Sequence, residues 1–127
     1  MAERSQYLLA LYIAEHREST PVSSGTVADL LGKSTATTTE TFQRLADDGL
    51  VEYERYEGAR LTDEGRERAA ELHETYVALS WFFRTVLDLD GYETEARRLA
   101  SSVSADVSDQ LVSTFLVAEA EREGEDE

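Results

Sequence analysis

Between Val27 and Leu61 the apolar residues switch from a helical period to strict alternation, and this switch limits the available folds more than any other feature. "SSGTVADLLG" offers Ser23 or Ser24 as an N-cap, Val27, Leu30 and Leu31 as a short apolar face, and Gly32 as terminator. Ser34 then caps "TATTTETFQRLADDG", in which Thr38, Phe42 and Leu45 recur at i, i+4 and i+7 before Gly49 stops the helix. The next stretch, "LVEYERYEGARLT", alternates Val51, Tyr53 and Arg55, turns near Glu57-Gly58 and resumes with Ala59 and Leu61. Two helices joined by a glycine-bearing turn and followed by a hairpin predict a winged helix-turn-helix.

The remaining chain reads as helix. "RSQYLLALYIAEHRE" places Tyr7, Leu8, Leu11 and Tyr12 at helical spacing, and Pro21 follows as a breaker. Thr62 caps "DEGRERAAELHETYVALSWFFRTVLDLD", a long helix with Ala69, Leu72, Tyr76, Leu79 and Phe83 on one face. "YETEARRLASSV" and "ADVSDQLVSTFLVAEAE", the latter capped by Ser104, supply two more helices, and "EREGEDE" reads as a frayed acidic end. The expectation is a mainly α chain: a winged helix-turn-helix DNA-binding domain over 1–61, a helical dimerisation domain over 62–118 and an acidic tail over 119–127. Trp81, Phe82 and Phe83 are consecutive, so one helix face cannot bury all three, and some must meet a second surface. With Leu111, Phe115 and Leu116 they form the expected homodimer interface.

Composition narrows the function classes. The 127 residues include no cysteine, which excludes a disulfide framework, a thiolate zinc site and a cysteine nucleophile. The N-terminus lacks a signal-peptide pattern and no apolar run reaches the ~18 residues of a membrane span, so a cytoplasmic protein without membrane attachment is expected. Asp and Glu number 27 against 12 Lys and Arg, and Lys33 is the single lysine. Such a surface suits a cytosol at molar salt, where the Debye length falls to about 3 Å and acidic side chains repel one another little. A salt-in halophile is the expected source. The charge is uneven: residues 1–61 carry 10 acids and 6 bases, net −4, whereas 62–127 carry 17 and 6, net −11. The first part is therefore the less repulsive towards a polyanion.

Gly32-Lys33-Ser34-Thr35 resembles the end of a phosphate loop, but that motif needs glycine where Val27 stands and a strand before it, so no nucleotide is expected. Six of the eight residues Ser34 to Thr41 carry hydroxyls instead. At the start of a recognition helix, hydroxyls and backbone N–H groups donate to DNA phosphates, and threonine methyls can touch thymine. Thr38 is expected to be a core residue. The candidate contacts to double-stranded DNA are Lys33, Ser34, Thr35, Thr37, Thr39, Glu40, Gln43 and Arg44, with Arg55, Tyr56 and Arg60 of the wing along the backbone. No constellation of nucleophile, base and orienting group appears, so the chain is not expected to be an enzyme.

The segments "SQYLLALY", "VADLLGKSTATTTETFQRLADDGLVEYERYEGARLTDEG" and "EARRLASSVSADVSDQL" resemble the DtxR/MntR (diphtheria toxin repressor) family of metal-dependent transcription regulators, in a halophilic archaeal form, over roughly Ser5 to Leu116. The resemblance implies a homodimer that reads a palindromic operator, usually as a repressor. It also implies a metal site, and there this sequence departs from the family. Family donor positions fall on Gln6, Leu9, Tyr76, Ser80, Arg97, Ala100 and Ser101, none of them a carboxylate or imidazole of the kind manganese or ferrous iron prefers. The expected cofactor is therefore none. The alternative is Mn(II) or Fe(II) at a non-standard site near His73, Glu93 and Glu95; a second is a module that forms mixed dimers with an intact relative, motivated by Glu40, Glu52, Glu54 and Glu57 on the DNA side. Asp88-Leu89-Asp90-Gly91 is not a calcium loop, because aligning Gly91 with that loop's glycine puts Val86 at the first ligand position.

Overall fold

The computed structural model describes residues 2–125. Its elements run α1 (Ala2–Arg17), α2 (Ser24–Leu31), α3 (Thr35–Asp47), β1 (Val51–Glu54), β2 (Gly58–Leu61), α4 (Asp63–Thr85), α5 (Tyr92–Ala100) and α6 (Ala105–Glu125). The chain divides into two compact units, Met1–Glu71 and Leu72–Glu127, so the division falls within α4 rather than at the expected 61/62 junction. The opening of α4 belongs with the wing for a steric reason. A Cβ on Gly65 would stand 1.8 Å from the Leu50 carbonyl oxygen, so only glycine lets the helix approach the backbone at the foot of β1 so closely.

In the first unit the sequence signals act as capping theory expects. The Ser23 hydroxyl accepts the Thr26 N–H at 3.2 Å and starts α2, which closes on Gly32 in the left-handed region at φ 66°. Ser34 repeats the device for α3, accepting the Thr37 N–H at 3.1 Å. Thr38, Phe42 and Leu45 are fully buried, and each of the two large apolar side chains adds roughly 1.5–3 kcal/mol by leaving water. The α1 helix is buried more completely than a one-sided amphipathic reading allows. Tyr7, Leu8, Leu9, Ala10, Leu11, Ile13 and Ala14 are all buried, because α2, α3 and β2 all pack against it.

The wing is an antiparallel hairpin with Val51 opposite Leu61, Glu52 opposite Arg60, Tyr53 opposite Ala59 and Glu54 opposite Gly58. Its turn is centred on Arg55 and Tyr56, two residues before the expected position, so Arg55 belongs to the turn and not to the strand. The cause lies at Gly58. Its φ of 130° and its missing Cβ, which would lie 2.1 Å from the Val22 carbonyl oxygen, let β2 dock beside Val22. Val22 and Ala59 exchange two backbone hydrogen bonds of 2.9 Å, so Gly58 is recruited into the strand rather than the turn.

In the second unit, Ser104 caps α6 by accepting the Val107 N–H at 3.3 Å, and α5 buries Ala96 and Ala100. The Thr75 and Ser108 hydroxyls hydrogen-bond each other, and Trp81 meets Phe115 edge-on with ring centroids 5.9 Å apart. The expected acidic tail from 119 is helical as far as Glu125, with Arg122 donating to Glu119 at 2.7 Å across one turn. Asp126 and Glu127 lie outside the described residues.

Candidate nucleic-acid interface

Helix α3 presents one face to the core and the other to solvent. Because 3.6 residues make a turn, burying Thr38, Phe42 and Leu45 leaves Ala36, Thr37, Glu40, Gln43, Arg44 and Asp47 exposed. Lys33, Ser34 and Thr35 are exposed at the helix start. Of the eight positions in and just before α3 expected at DNA, seven are therefore accessible. Thr39 is half-buried, and its hydroxyl donates to the Ser24 side chain at 3.1 Å, which ties α3 to the start of α2.

The hydroxyl run serves two purposes. The Ser34 hydroxyl caps the helix and also donates to Thr37 Oγ1 at 2.9 Å; Thr38 and Thr41 donate to the carbonyls of Ser34 and Thr37 at 3.0 and 2.9 Å. Such back-bonding satisfies local groups and explains why β-branched residues are tolerated at a helix start. It leaves Thr35 and Thr37 as the threonines most open to an outside acceptor, with the exposed Ala36 methyl between them. Alanine carries no polar signal in the sequence, although the i, i+4 relation of Ala36 to Glu40 marks the same face.

Beside this face a cleft of about 630 Å³ separates α3 from the hairpin. Thr35, Thr39 and Gln43 form one wall and Tyr53, Arg55 and Tyr56 the other, with Ser23 and Ser24 at one end. The buried Phe42 packs against Tyr53, their ring centroids 6.1 Å apart. Strand alternation puts Val51, Tyr53, Ala59 and Leu61 on the inner side of the hairpin and Glu52, Glu54 and Arg60 on the outer. Arg55 and Tyr56 thus join the α3 residues at the cleft, whereas Arg60 lies across the sheet among Glu52, Glu54 and Glu57. Glu57 titrates above its ordinary range, because its side chain hydrogen-bonds Glu54 and the two like charges repel.

The wing is held from behind by a buried carboxylate that the sequence did not single out. Glu15 of α1 accepts the Leu61 N–H at 2.8 Å with one oxygen and Arg66 of α4 at 3.2 Å with the other, and only 8% of its side chain is exposed.

The residues expected around a family metal do not fit one. Leu9 and Ala100 are buried apolar side chains, and the Ser80 hydroxyl is buried without a hydrogen-bond partner among the described residues. Neutral hydroxyls and alkyl groups cannot replace the carboxylates and imidazoles that hold divalent manganese or iron. Near the alternative position, the His73 ring packs against Tyr76 at 5.8 Å and Glu95 pairs with Arg98 at 3.6 Å. Among the described residues no three His, Asp or Glu side chains gather as a metal would need.

In the second unit, Trp81, Phe82 and Leu111 line a shallow, largely apolar depression of about 450 Å³ together with Val107. Phe83 and Phe115 are half-buried outside its lining, and Leu116 and Val117 are each 58% exposed. No described helix is long and apolar enough to cross a membrane.

Comparison with known proteins matches this geometry. Residues 1–59 match the family "Iron dependent repressor, N-terminal DNA binding domain". A manganese-dependent transcriptional repressor solved with manganese superposes with a TM-score of 0.77 at 26% identity, over 87% of this chain and 51% of that one. The manganese regulator SloR gives 0.73 at 23% identity, over 88% and 53%. A hypothetical protein from Sulfolobus solfataricus, SSo2273, shares the fold at 0.60 and 14% identity, over 91% of this chain and 89% of its own. No curated protein matches. The chain spans about half the length of the two manganese regulators. Residues 1–59 thus resemble the DNA-binding domain of iron-dependent repressors, and the chain as a whole shares the fold of manganese-dependent transcriptional repressors.

Proposed function

We propose that the chain is a homodimeric DNA-binding repressor that holds its operator without the metal co-repressor of its relatives. The observation that carries this reading is the exposed α3 face beside an ordered wing, combined with the absence of carboxylate and imidazole side chains at Gln6, Leu9, Tyr76, Ser80, Arg97, Ala100 and Ser101, where the family resemblance expects donors. In this mechanism Thr35, Ala36, Thr37, Glu40 and Gln43 enter the major groove, and Lys33 and Arg44 neutralise phosphates. Repression is steric, since an occupied operator excludes other proteins. The apolar depression at Trp81, Phe82 and Leu111 and the exposed Leu116 and Val117 support self-association, because water-exposed apolar area of this kind is stabilised by a second copy.

A net charge of −15 works against DNA, so salt matters. In molar salt the counterion-release contribution is small, and direct hydroxyl and apolar contacts carry the affinity. The test is a gel shift of genomic fragments in concentrated KCl, with protein stripped by chelator. A discrete shifted fragment is the expected result. Binding that appears only after Mn(II) or Fe(II) is added overturns the metal-free reading. No binding under either condition, with co-purification of a related regulator, transfers the role to mixed-dimer formation.

A further inference from the structure

Of the twelve basic side chains in this chain only Lys33 is a lysine, and it stands at the turn between α2 and α3. Its backbone is fixed from both sides. Gly32 closes α2 at φ 66°, and the Lys33 N–H donates to the Ala28 carbonyl at 2.9 Å, which completes a left-handed helix stop. Ser34 then caps α3 through the Thr37 N–H at 3.1 Å. Held between two caps, Lys33 is exposed at the start of the α3 face. Its flank is open as well, since a Cβ on Gly32 would meet no atom within 4 Å.

The choice of lysine at this position calls for a chemical reason. Neutralising a phosphate is served at least as well by arginine, whose planar guanidinium takes phosphate in bidentate fashion. Every other cationic position uses arginine. What lysine has and arginine lacks is a primary amine that can be acylated, with loss of its charge. The chain's one side-chain amine thus coincides with a position that the proposed mechanism sets against DNA phosphate, and no cysteine thiol competes for an activated acyl group.

We infer that Lys33 is a reversible acetylation site that switches the chain off DNA. This rests on the DNA-binding reading above and adds its regulation. In the forward step the ε-ammonium first gives a proton to water, and the amine then attacks the carbonyl carbon of an acetyl thioester or of acetyl phosphate. A C–N amide bond forms, and the C–S or C–O bond to the leaving group breaks. The thiolate or phosphate departs with the bonding pair, and a second proton passes from nitrogen to solvent. Reversal is hydrolysis of the amide, which releases acetate and restores the ammonium. Each acetyl group removes one positive charge, so a homodimer forfeits two phosphate contacts.

The probe is a duplex selected from a random pool by the untreated wild-type protein. Wild type and Lys33→Arg are treated with acetyl phosphate in one arm and acetyl-coenzyme A in the other, and mass spectrometry locates the acetyl groups. Lys33→Arg retains the α-amine and lacks the side-chain amine, so it separates the two. At about 0.3 M KCl the two lost contacts, each releasing about 0.9 counterion, should make acetylated wild type bind roughly tenfold more weakly than its own untreated sample. The deficit should narrow towards molar KCl, because it arises from counterion release. Lys33→Arg should lose nothing relative to its own untreated sample, and duplex bound in advance should shield Lys33 from both donors. Acetylation of Lys33 in either arm with this loss supports the inference, and the arm that modifies it identifies the acyl source. Lys33 left unmodified in both arms, or treated Lys33→Arg losing as much as treated wild type, overturns this inference alone. So does acetylated Lys33 with undiminished binding while Thr37→Ala loses the duplex. Failure of the untreated wild type to select any duplex overturns the DNA-binding reading and this inference together.

Discussion

Replacing Glu15 tests how the wing is held. Its carboxylate is nearly enclosed, with 8% of the side chain exposed, and serves both the Leu61 N–H and Arg66. Glu15→Ala removes the acceptor from a backbone donor at the end of β2, where Leu61 is 4% exposed. A hydrogen bond to a charged group is worth about 1.5–3 kcal/mol, and an orphaned buried N–H incurs a penalty of similar size. The ion pair adds little, because Arg66 is 52% exposed and solvent screens it to at most about 1 kcal/mol. The expected loss is therefore about 2–3 kcal/mol, or roughly 10 °C in Tm for a chain of this size. Glu15→Gln keeps an oxygen for Leu61 and gives up only the charge, so it should lose about 1 kcal/mol. Urea unfolding followed by circular dichroism in KCl measures both. If the two variants lose the same amount, or Glu15→Ala loses under about 0.5 kcal/mol, the carboxylate does not carry the wing as argued. DNA affinity should follow the same order, since the strand that Glu15 anchors bears one wall of the cleft.

Other outcomes follow from local geometry. Gly58→Ala and Gly65→Ala each force a Cβ into a backbone carbonyl, at 2.1 and 1.8 Å, and should lower stability by more than about 2 kcal/mol in the same unfolding assay. Gly32→Ala tests only the left-handed cap, since a Cβ there meets open space, and should cost about 1 kcal/mol. At neutral pH Glu57→Gln removes the repulsion between Glu57 and Glu54 and should tighten DNA binding. The folded-state pKa of Glu57 is raised, so its protonated form is favoured below the ordinary carboxylate value and that advantage is lost as pH rises through the raised value. Titration of binding against pH should therefore show variant and wild type converging as the solution is acidified.

The order of elements and their caps were legible in the sequence because they depend on contacts within four residues. Ser23, Ser34, Thr62 and Ser104 each accept the N–H expected of an N-cap, and Thr38, Phe42 and Leu45 fill the core face that their period announces. The residues opposite them on α3 follow from the same period. Misplacement of the wing turn has the complementary cause. Glu57-Gly58 looks like a turn locally, but Gly58 is held by the carbonyl of Val22, which lies 36 positions earlier in the chain.

What the chain decides alone is therefore its helical phases, its caps and the uneven distribution of its charge, all set by side-chain chemistry at fixed spacing. Only the folded structure decides that Arg55 joins the cleft while Arg60 faces away, that Thr39 is spent on Ser24, and that Glu15 holds the wing from α1. Those facts require pairing between distant segments, where strand register and close backbone approach select which side chains meet, and no local periodicity encodes that choice.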